Sequence, residues 1–127
     1  MHEFSVMTQI VDSVLSEAKK RDAQRVEQVN LEIGDFTMLG DEQMMFAYEM
    51  LAKDTILQGS KLEISHRKGK IKCQSCGYEG DVTIAEDSPH RMIPILECPK
   101  CHAPAEVIEG RECFIRNIRM VVPDVQV

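Results

Sequence analysis

Two short stretches decide the organisation of this chain: Cys73-Gln74-Ser75-Cys76 and Cys98-Pro99-Lys100-Cys101. Each is a C-x-x-C turn, and twenty-one residues lie between the two turns. Such turns can direct four thiolates at one ion and close a tetrahedral sulfur shell, which leaves no position for water or substrate. The spacing therefore predicts a structural zinc site made by Cys73, Cys76, Cys98 and Cys101. Zinc would order a lobe that has too little apolar surface to fold alone.

The same turns are compatible with other chemistry. Cys76-Gly77-Tyr78 and the second turn look like the knuckles of rubredoxins, in which four thiolates hold iron for electron transfer, so the sequence leaves zinc and iron open. A dithiol redox pair needs only one C-x-x-C, and two matched pairs disfavour it. Cys101-His102 completes a haem-attachment pattern, which fits poorly with a second Cys pair. Cys113 is expected to be a small buried hydrophobe.

Composition limits the class of protein. The chain has 127 residues, of which 43% are hydrophobic and 28% charged, and its net charge is −6. This length predicts one compact unit with room for a small appendage. The longest apolar runs span only a few positions, so no membrane helix fits. The acidic balance disfavours nucleic acid as a partner.

The cysteine pairs and the first residues predict a compartment. Met1-His2-Glu3-Phe4-Ser5 begins no secretion signal, which would need a basic segment and then an apolar stretch. Paired thiols in an acidic chain without a targeting segment usually hold metal in a reducing compartment. The expected localisation is therefore cytoplasmic.

The regions around the cysteines predict an α/β fold. Apolar residues recur at helical spacing over residues 4–21, which predicts a first helix. A second helix is expected over 42–57, with its N-cap at Gly40-Asp41 and with Gly59 closing it. Met45 and Tyr48 are expected on its inward face. Alternation predicts strands around residues 29–33 and 62–66. Between residues 72 and 112 only short β-prone pieces occur, at 82–84, 93–96 and 106–108.

The last apolar segment, residues 114–122, is long enough to be a strand that returns to the first sheet, and Pro123 would end it. The zinc-binding lobe would then be an insertion. A basic cluster precedes the first Cys pair and is expected to be a solvated edge strand, because alternation divides it between two faces. Its members are Lys61, Arg67, Lys68, Lys70 and Lys72.

The N-terminus offers a second metal-binding pattern, although a histidine near a terminus is, taken alone, more often simply solvated. The α-amine of Met1, the backbone nitrogen of His2 and its imidazole would occupy three corners of a square around one ion. Square-planar nitrogen coordination that includes deprotonated amides selects Cu(II) or Ni(II). Because Cu(II) binds a given ligand set more tightly, cellular metal availability must decide for nickel.

The fourth corner of that square remains open in the sequence. The Glu3 amide, the Glu3 carboxylate or a histidine from elsewhere could fill it. His90, between the Cys pairs, is the candidate external ligand, against the alternative of an ordinary surface histidine. His66 is expected to be partly packed, and His102 to cover the second Cys turn.

These features occur together with further stretches along the chain. They are Leu31-Glu32-Ile33-Gly34, Phe46-Ala47-Tyr48-Glu49 and Gly59-Ser60-Lys61-Leu62-Glu63-Ile64. With the Met1-His2-Glu3 opening and the paired C-x-x-C turns, essentially the whole chain resembles the HypA/HybF family of nickel metallochaperones for [NiFe]-hydrogenase maturation.

The resemblance implies two helices packed on a small three-stranded sheet, with an inserted zinc-ribbon-like lobe. A nickel-binding domain would comprise residues 1–68 plus 113–127, and a zinc-binding domain residues 69–112. Met1, His2 and Glu3 would bind the transported Ni(II), while the four cysteines of the paired turns hold structural Zn(II). The implied partners are a HypB-type nickel-handling GTPase or ATPase and the hydrogenase large subunit, and for some relatives urease maturation proteins.

Three functions are therefore compared. The first is a nickel metallochaperone without catalytic turnover, because the sequence has no phosphate-binding glycine loop or nucleophile motif and the closed sulfur shell has no open position. The second is a rubredoxin-like iron electron carrier with an appended α/β domain. The third is a zinc-ribbon nucleic-acid adaptor, which the acidic charge disfavours.

Overall fold

The computed structural model describes residues 2–81 and 97–123, which form two compact units. The first unit draws on residues 1–32, 38–65 and 113–127, and the second on 33–37 and 66–112. The elements in chain order are α1 (Glu3–Lys20), β1 (Arg25–Gly34), a 3₁₀ turn (Asp35–Thr37), α2 (Asp41–Ala52), β2 (Lys61–Arg67), β3 (Lys70–Cys73), β4 (Glu79–Gly80), β5 (Ala105–Glu109) and β6 (Cys113–Val121). The expected mixed α/β fold is confirmed.

Helix α1 forms as its periodicity predicts. Its inward positions are buried at three- and four-residue spacing: Met7, Ile10, Val11, Val14 and Ala18. Two lysines in the last turn complement the negative end of the helix dipole. Within the first unit, α1 contacts α2 and β6. Among the described residues, no helix combines the length and apolar character that a membrane crossing requires.

The sheet of the first unit has the strand order β2-β1-β6, so the last strand does return to it as predicted. Strand β1 buries Val29, Leu31 and Ile33 at alternate positions. β6 runs antiparallel to β1, because the Gln24 N–H donates to the Val121 carbonyl (2.7 Å) at one end. At the other end the Gly34 N–H donates to the Glu112 carbonyl (2.8 Å).

Helix α2 differs from its prediction in two respects. It ends at Ala52, five positions before the expected end, and Gly59 lies in the turn before β2 instead of closing the helix. Its buried residues are Met44, Ala47, Tyr48 and Ala52, so the inward methionine is Met44 and the prediction for Met45 was wrong. Several apolar residues stand side by side at the start of α2, and this leaves the apolar face ambiguous in the sequence.

The second unit contains a three-stranded sheet of order β4-β3-β5. β3 is central, so the expectation that Lys70 and Lys72 lie on an edge strand was wrong. Both lysines stand opposite acidic residues of β5, Glu109 and Glu106. Of the expected β-prone pieces, 106–108 lies in β5, while 82–84 and 93–96 fall outside the described residues.

Candidate metal sites

The two C-x-x-C turns of the second unit have the same backbone geometry. In the first turn the Gly77 N–H donates to the Cys73 carbonyl (3.0 Å), and the Cys73 N–H donates to the Tyr78 carbonyl (2.8 Å). In the second, the corresponding bonds run from His102 to Cys98 and from Cys98 to Ala103, both 2.9 Å long. The residue after each turn has a positive φ, 78° at Gly77 and 63° at His102. The sequence therefore folds each pair into a knuckle that presents two sulfurs on one side.

The knuckles bring the four sulfur atoms together, all within 4.8 Å of one another. The Cys73 and Cys101 sulfurs are 3.4 Å apart, and those of Cys76 and Cys98 are 3.5 Å apart. One cysteine of each pair is fully buried and the other exposed. Four thiols at this separation form a donor set that fits one tetrahedral ion such as zinc.

The pKa values of these thiols diverge because a negative charge on one sulfur makes ionisation of its neighbours less favourable. Hydrogen bonding from the Cys76 backbone lowers the pKa of Cys73 to about 6. The Ala103 backbone favours the Cys101 thiolate, but the neighbouring Cys73 sulfur, burial and the other two cysteines outweigh it and raise the pKa of Cys101 to about 12. Without a cation the four groups therefore do not all ionise near neutral pH. A bound divalent ion removes this competition.

The start of α1 carries the second predicted metal site. His2 is exposed and occupies the N-cap position, with extended backbone and no capping bond from its side chain. Its carbonyl accepts the first helical bond, from the Val6 N–H at 3.1 Å. Glu3 is the first helical residue. Because the first N–H groups of a helix have no intrahelical acceptor, the amides of His2 and Glu3 are not needed to form α1.

His2 and Glu3 line a cleft of about 330 Å³ within the first unit, between the first turns of α1 and α2. Its other lining residues are Phe4, Glu42, Gln43, Phe46 and Ala47. Glu42 thus lines the same cleft as His2. The aromatic rings and Ala47 give the cleft a predominantly apolar wall.

The sequence did not identify the α2 residues of this cleft. Glu42 and Phe46 stand four positions apart on α2, a spacing that places them on one helix face. That spacing could have indicated a mixed acidic and apolar surface. The approach of this surface to α1 is a tertiary relationship that no local pattern reports.

The remaining predicted residues have separate positions. Met1 and His90 lie outside the described residues. His66 is exposed, so the expectation of partial packing was wrong. The side chain of His102 is 78% exposed and its Nδ1 lies 3.9 Å from a Glu97 carboxylate oxygen, so it does not cover the knuckle. Cys113 begins β6, is half-buried and stands apart from the sulfur cluster, and burial raises its pKa.

Comparison with known proteins gives a consistent result. The family model for hydrogenase/urease nickel incorporation metallochaperones, HypA, matches residues 1–120. The hydrogenase maturation factor HypA of Methanopyrus kandleri is 38% identical over 138 residues, covering 99% of this chain and 97% of that protein. Its counterpart in Methanothermobacter thermautotrophicus is 38% identical over 125 residues, covering 98% and 100%.

A solved structure shares the fold. The solution structure of the Ni metallochaperone HypA from Helicobacter pylori superposes with a TM-score of 0.65 at 22% identity, covering 97% of this chain and all of that one. An α/β unit with an inserted four-thiol lobe, matched in this way, defines a protein of the nickel-incorporation metallochaperone class. The chain belongs to the HypA family of hydrogenase maturation factors.

Proposed function

We propose that this chain binds Ni(II) at its N-terminus and delivers it for maturation of [NiFe]-hydrogenase, while zinc holds the second unit together. The observation that carries the proposal is the position of His2. His2 is the N-cap of α1, and the helix does not require the amides of His2 and Glu3. His2 also lines a cleft together with the acidic residues Glu3 and Glu42. The protein acts as a carrier and not as an enzyme.

The proposed nickel ligands are Met1, His2 and Glu3. A backbone amide that binds nickel loses its proton. The amide protons of His2 and Glu3 have no carbonyl acceptor within the helix, so their loss breaks no helical hydrogen bond and nickel binding does not unwind α1. The Glu3 carboxylate, the Glu3 amide and His90 remain proposals for the fourth position. Glu42 lines the same cleft and adds a negative charge near the cation without having to be a ligand.

The proposed zinc ligands are Cys73, Cys76, Cys98 and Cys101. Ile33 and Ile71 are the two large aliphatic residues that are fully buried among the described residues of the second unit. A lobe with so small an apolar core needs an additional source of stability, and a closed sulfur shell supplies it. Zinc therefore has a structural role, and the transported ion binds elsewhere.

Partner binding is proposed on the surface next to the cleft. Phe46 is 65% exposed and Met50, one helical turn further along α2, is 57% exposed. Phe4, on the opposite side of the cleft, is 46% exposed. An exposed apolar surface beside a transported ion suits a protein that must take up or release that ion. We propose a HypB-type nickel-handling GTPase or ATPase as the first partner and the hydrogenase large subunit as the recipient, with urease maturation proteins as alternative partners.

The proposal includes the division into a nickel-binding domain, 1–68 plus 113–127, and a zinc-binding domain, 69–112. It also includes a cytoplasmic location and no role in nucleic-acid binding. The net charge of −6 supports the last point, and Glu106 and Glu109 of β5 stand opposite the two lysines of β3 in the strand register.

The test is nickel titration of untagged, zinc-loaded protein beside His2→Ala, with zinc and iron counted in both. We expect one Ni(II) per chain in the parent, loss of that ion in the variant and one zinc in each. Undiminished nickel binding by His2→Ala would refute the assigned site. Stoichiometric iron with a reversible redox couple would favour the rubredoxin-like alternative, since the sulfur geometry also suits iron.

A further inference from the structure

The four cysteines of the second unit differ in their exposure to solvent. Cys73 and Cys98, the first cysteine of each knuckle, are fully buried. Cys76 and Cys101, the second cysteine of each knuckle, are exposed. We call the buried two the inner cysteines and the exposed two the outer cysteines. A small solute that approaches the sulfur cluster therefore meets the outer cysteines first.

Two short sulfur contacts each join an outer cysteine to an inner cysteine of the other knuckle. The Cys101 sulfur lies 3.4 Å from the Cys73 sulfur. The Cys76 sulfur lies 3.5 Å from the Cys98 sulfur. Each exposed sulfur thus has a buried sulfur beside it, and both pairs connect the two knuckles.

Contacts that involve no sulfur hold the knuckles side by side. The Lys100 ammonium, in the second knuckle, lies 5.5 Å from the centre of the Tyr78 ring, which follows the first knuckle. The Gln74 side chain, in the first knuckle, donates to the Glu106 carboxylate of β5 at 2.9 Å. The pairing of β3 with β5 adds backbone hydrogen bonds between the same two parts of the chain. The knuckles therefore do not depend on the sulfurs alone for their proximity, and this favours bonds between them.

This arrangement suits reaction with a peroxide. Cysteines that bind zinc are thiolates, and the thiolate is the form of cysteine that reacts with hydrogen peroxide. An outer thiolate attacks one peroxide oxygen, the O–O bond breaks, and the sulfur becomes a sulfenic acid as hydroxide leaves. The inner thiolate beside it then attacks that sulfur, the S–O bond breaks, and a second hydroxide leaves as the disulfide forms. Two thiolates thus give two electrons to one peroxide, and two protons from solvent convert the hydroxides to water.

We propose that the four-cysteine site is a peroxide-responsive switch, in which the outer cysteines are oxidised first and the products are the disulfides Cys73–Cys101 and Cys76–Cys98. The proposal rests on the proposed zinc ligands and adds their regulation. Sulfurs joined in disulfides no longer act as thiolate ligands, so oxidation releases zinc. The two bonds between the knuckles then replace the ion in holding the second unit closed. Reductants restore the thiols, as is typical of redox-sensing disulfides in reducing compartments.

The first test treats the zinc-loaded parent protein with hydrogen peroxide. Released zinc is measured with a chromophoric chelator, and disulfides are identified by mass spectrometry of unreduced tryptic peptides. We expect loss of one zinc per chain for every two peroxide molecules consumed, and dithiothreitol followed by zinc should restore one zinc per chain. The matched control is Cys113→Ala, which should behave as the parent does because Cys113 lies outside the sulfur cluster.

The disulfide pattern separates this proposal from simple oxidation of a zinc site. Trypsin cleaves after Lys100 and so places Cys98 and Cys101 on different peptides. Fragmentation between Cys73 and Cys76 then shows which of the two cysteines each peptide is bonded to. We expect Cys101 on Cys73 and Cys98 on Cys76. Any other pairing, including a disulfide within one knuckle, would overturn the proposal.

A second test identifies the sulfurs that react first. With less than one peroxide per chain and dimedone present to trap sulfenic acids, adducts should form mainly on Cys76 and Cys101. Adducts mainly on the inner cysteines would overturn the proposal. So would zinc that stays bound in excess peroxide, or zinc lost only with sulfinic acids that dithiothreitol does not reverse.

A third measurement follows the fold of the oxidised protein. Amide exchange in β3 and β5 should stay slow after oxidation, and it should become fast when a chelator removes zinc from the reduced protein. Equally fast exchange in both forms would overturn the claim that the disulfides hold the unit closed. Absence of zinc from the untreated parent would instead refute the proposed function.

Discussion

The sulfur atoms of Cys73 and Cys101 lie 3.4 Å apart although they come from different knuckles. Two thiolates at that distance repel each other strongly unless a cation lies between them. The contrast between a pKa of about 6 for Cys73 and about 12 for Cys101 expresses this competition. The geometry therefore favours a bound metal over four free thiols.

Removing one ligand should disorder the second unit and leave the first folded. In Cys98→Ala we expect loss of zinc and fast amide exchange in β3 and β5, while the helical circular dichroism of α1 and α2 persists. The control is Cys113→Ala, because Cys113 lies outside the sulfur cluster. Retention of zinc by Cys98→Ala would contradict the four-thiol assignment.

Zinc affinity should fall as the pH is lowered. Interactions with neighbouring sulfurs raise the pKa of Cys76 and of Cys101, so in metal-free protein at neutral pH both thiols hold protons that zinc must displace. Acidification adds protons to the remaining thiols and strengthens the competition. Calorimetry in buffers of different ionisation enthalpy should show release of at least these two protons per zinc. Binding without proton release would show that the thiols are already ionised.

Replacing His102 by glycine should stabilise the second knuckle. His102 has φ at 63°, whereas the equivalent position of the first knuckle holds glycine. Glycine adopts this conformation without strain, so His102→Gly should gain roughly 0.5–1 kcal/mol. The substitution also removes the exposed contact between His102 and Glu97, which contributes little to stability. Slower zinc loss to a chelator is the measurement, and Gly77→Ala should show the opposite change.

Phe46→Ser should weaken partner binding without unfolding the protein. The ring is largely exposed, so its loss costs little folding energy, whereas an interface that covers it loses apolar burial. Size-exclusion binding to the HypB-type GTPase is the measurement, with unchanged thermal unfolding as the check on folding. The comparison is Ile108→Ser, an exposed apolar residue of the second unit. Equal binding by Phe46→Ser and the parent would show that the partner binds a surface that does not include Phe46.

The sequence predicted those parts of the fold whose signal is local. The alternation of Val29, Leu31 and Ile33 identifies β1, and the paired C-x-x-C spacing brings four sulfurs together without any structural information. The strand signal and each C-x-x-C turn come from residues within a few positions of each other, and the repeated turn links two positions that are far apart in the sequence. The return of the last strand was also predicted, because its length and β-branched content leave it few other positions.

The parts that the sequence did not predict depend on distant residues. β3 is central because β5, some thirty residues later, pairs with it, and no feature of Lys70 or Lys72 reports that partner. The inward side of α2 could not be chosen because Met44 and Met45 are chemically identical neighbours. Gly34, Gly69 and Gly110 lie close together in the fold, although in the sequence they are single glycines that are far apart.

Transfer of nickel to the partner tests the proposed carrier function. Protein loaded with one nickel and one zinc is mixed with metal-free HypB-type GTPase, and the metals in each protein are counted after separation. We predict that nickel moves to the GTPase while zinc stays, and that His2→Ala supplies no more nickel than the free ion does. Nickel that stays with this chain, or equal delivery by His2→Ala, would contradict delivery of nickel from the His2 site.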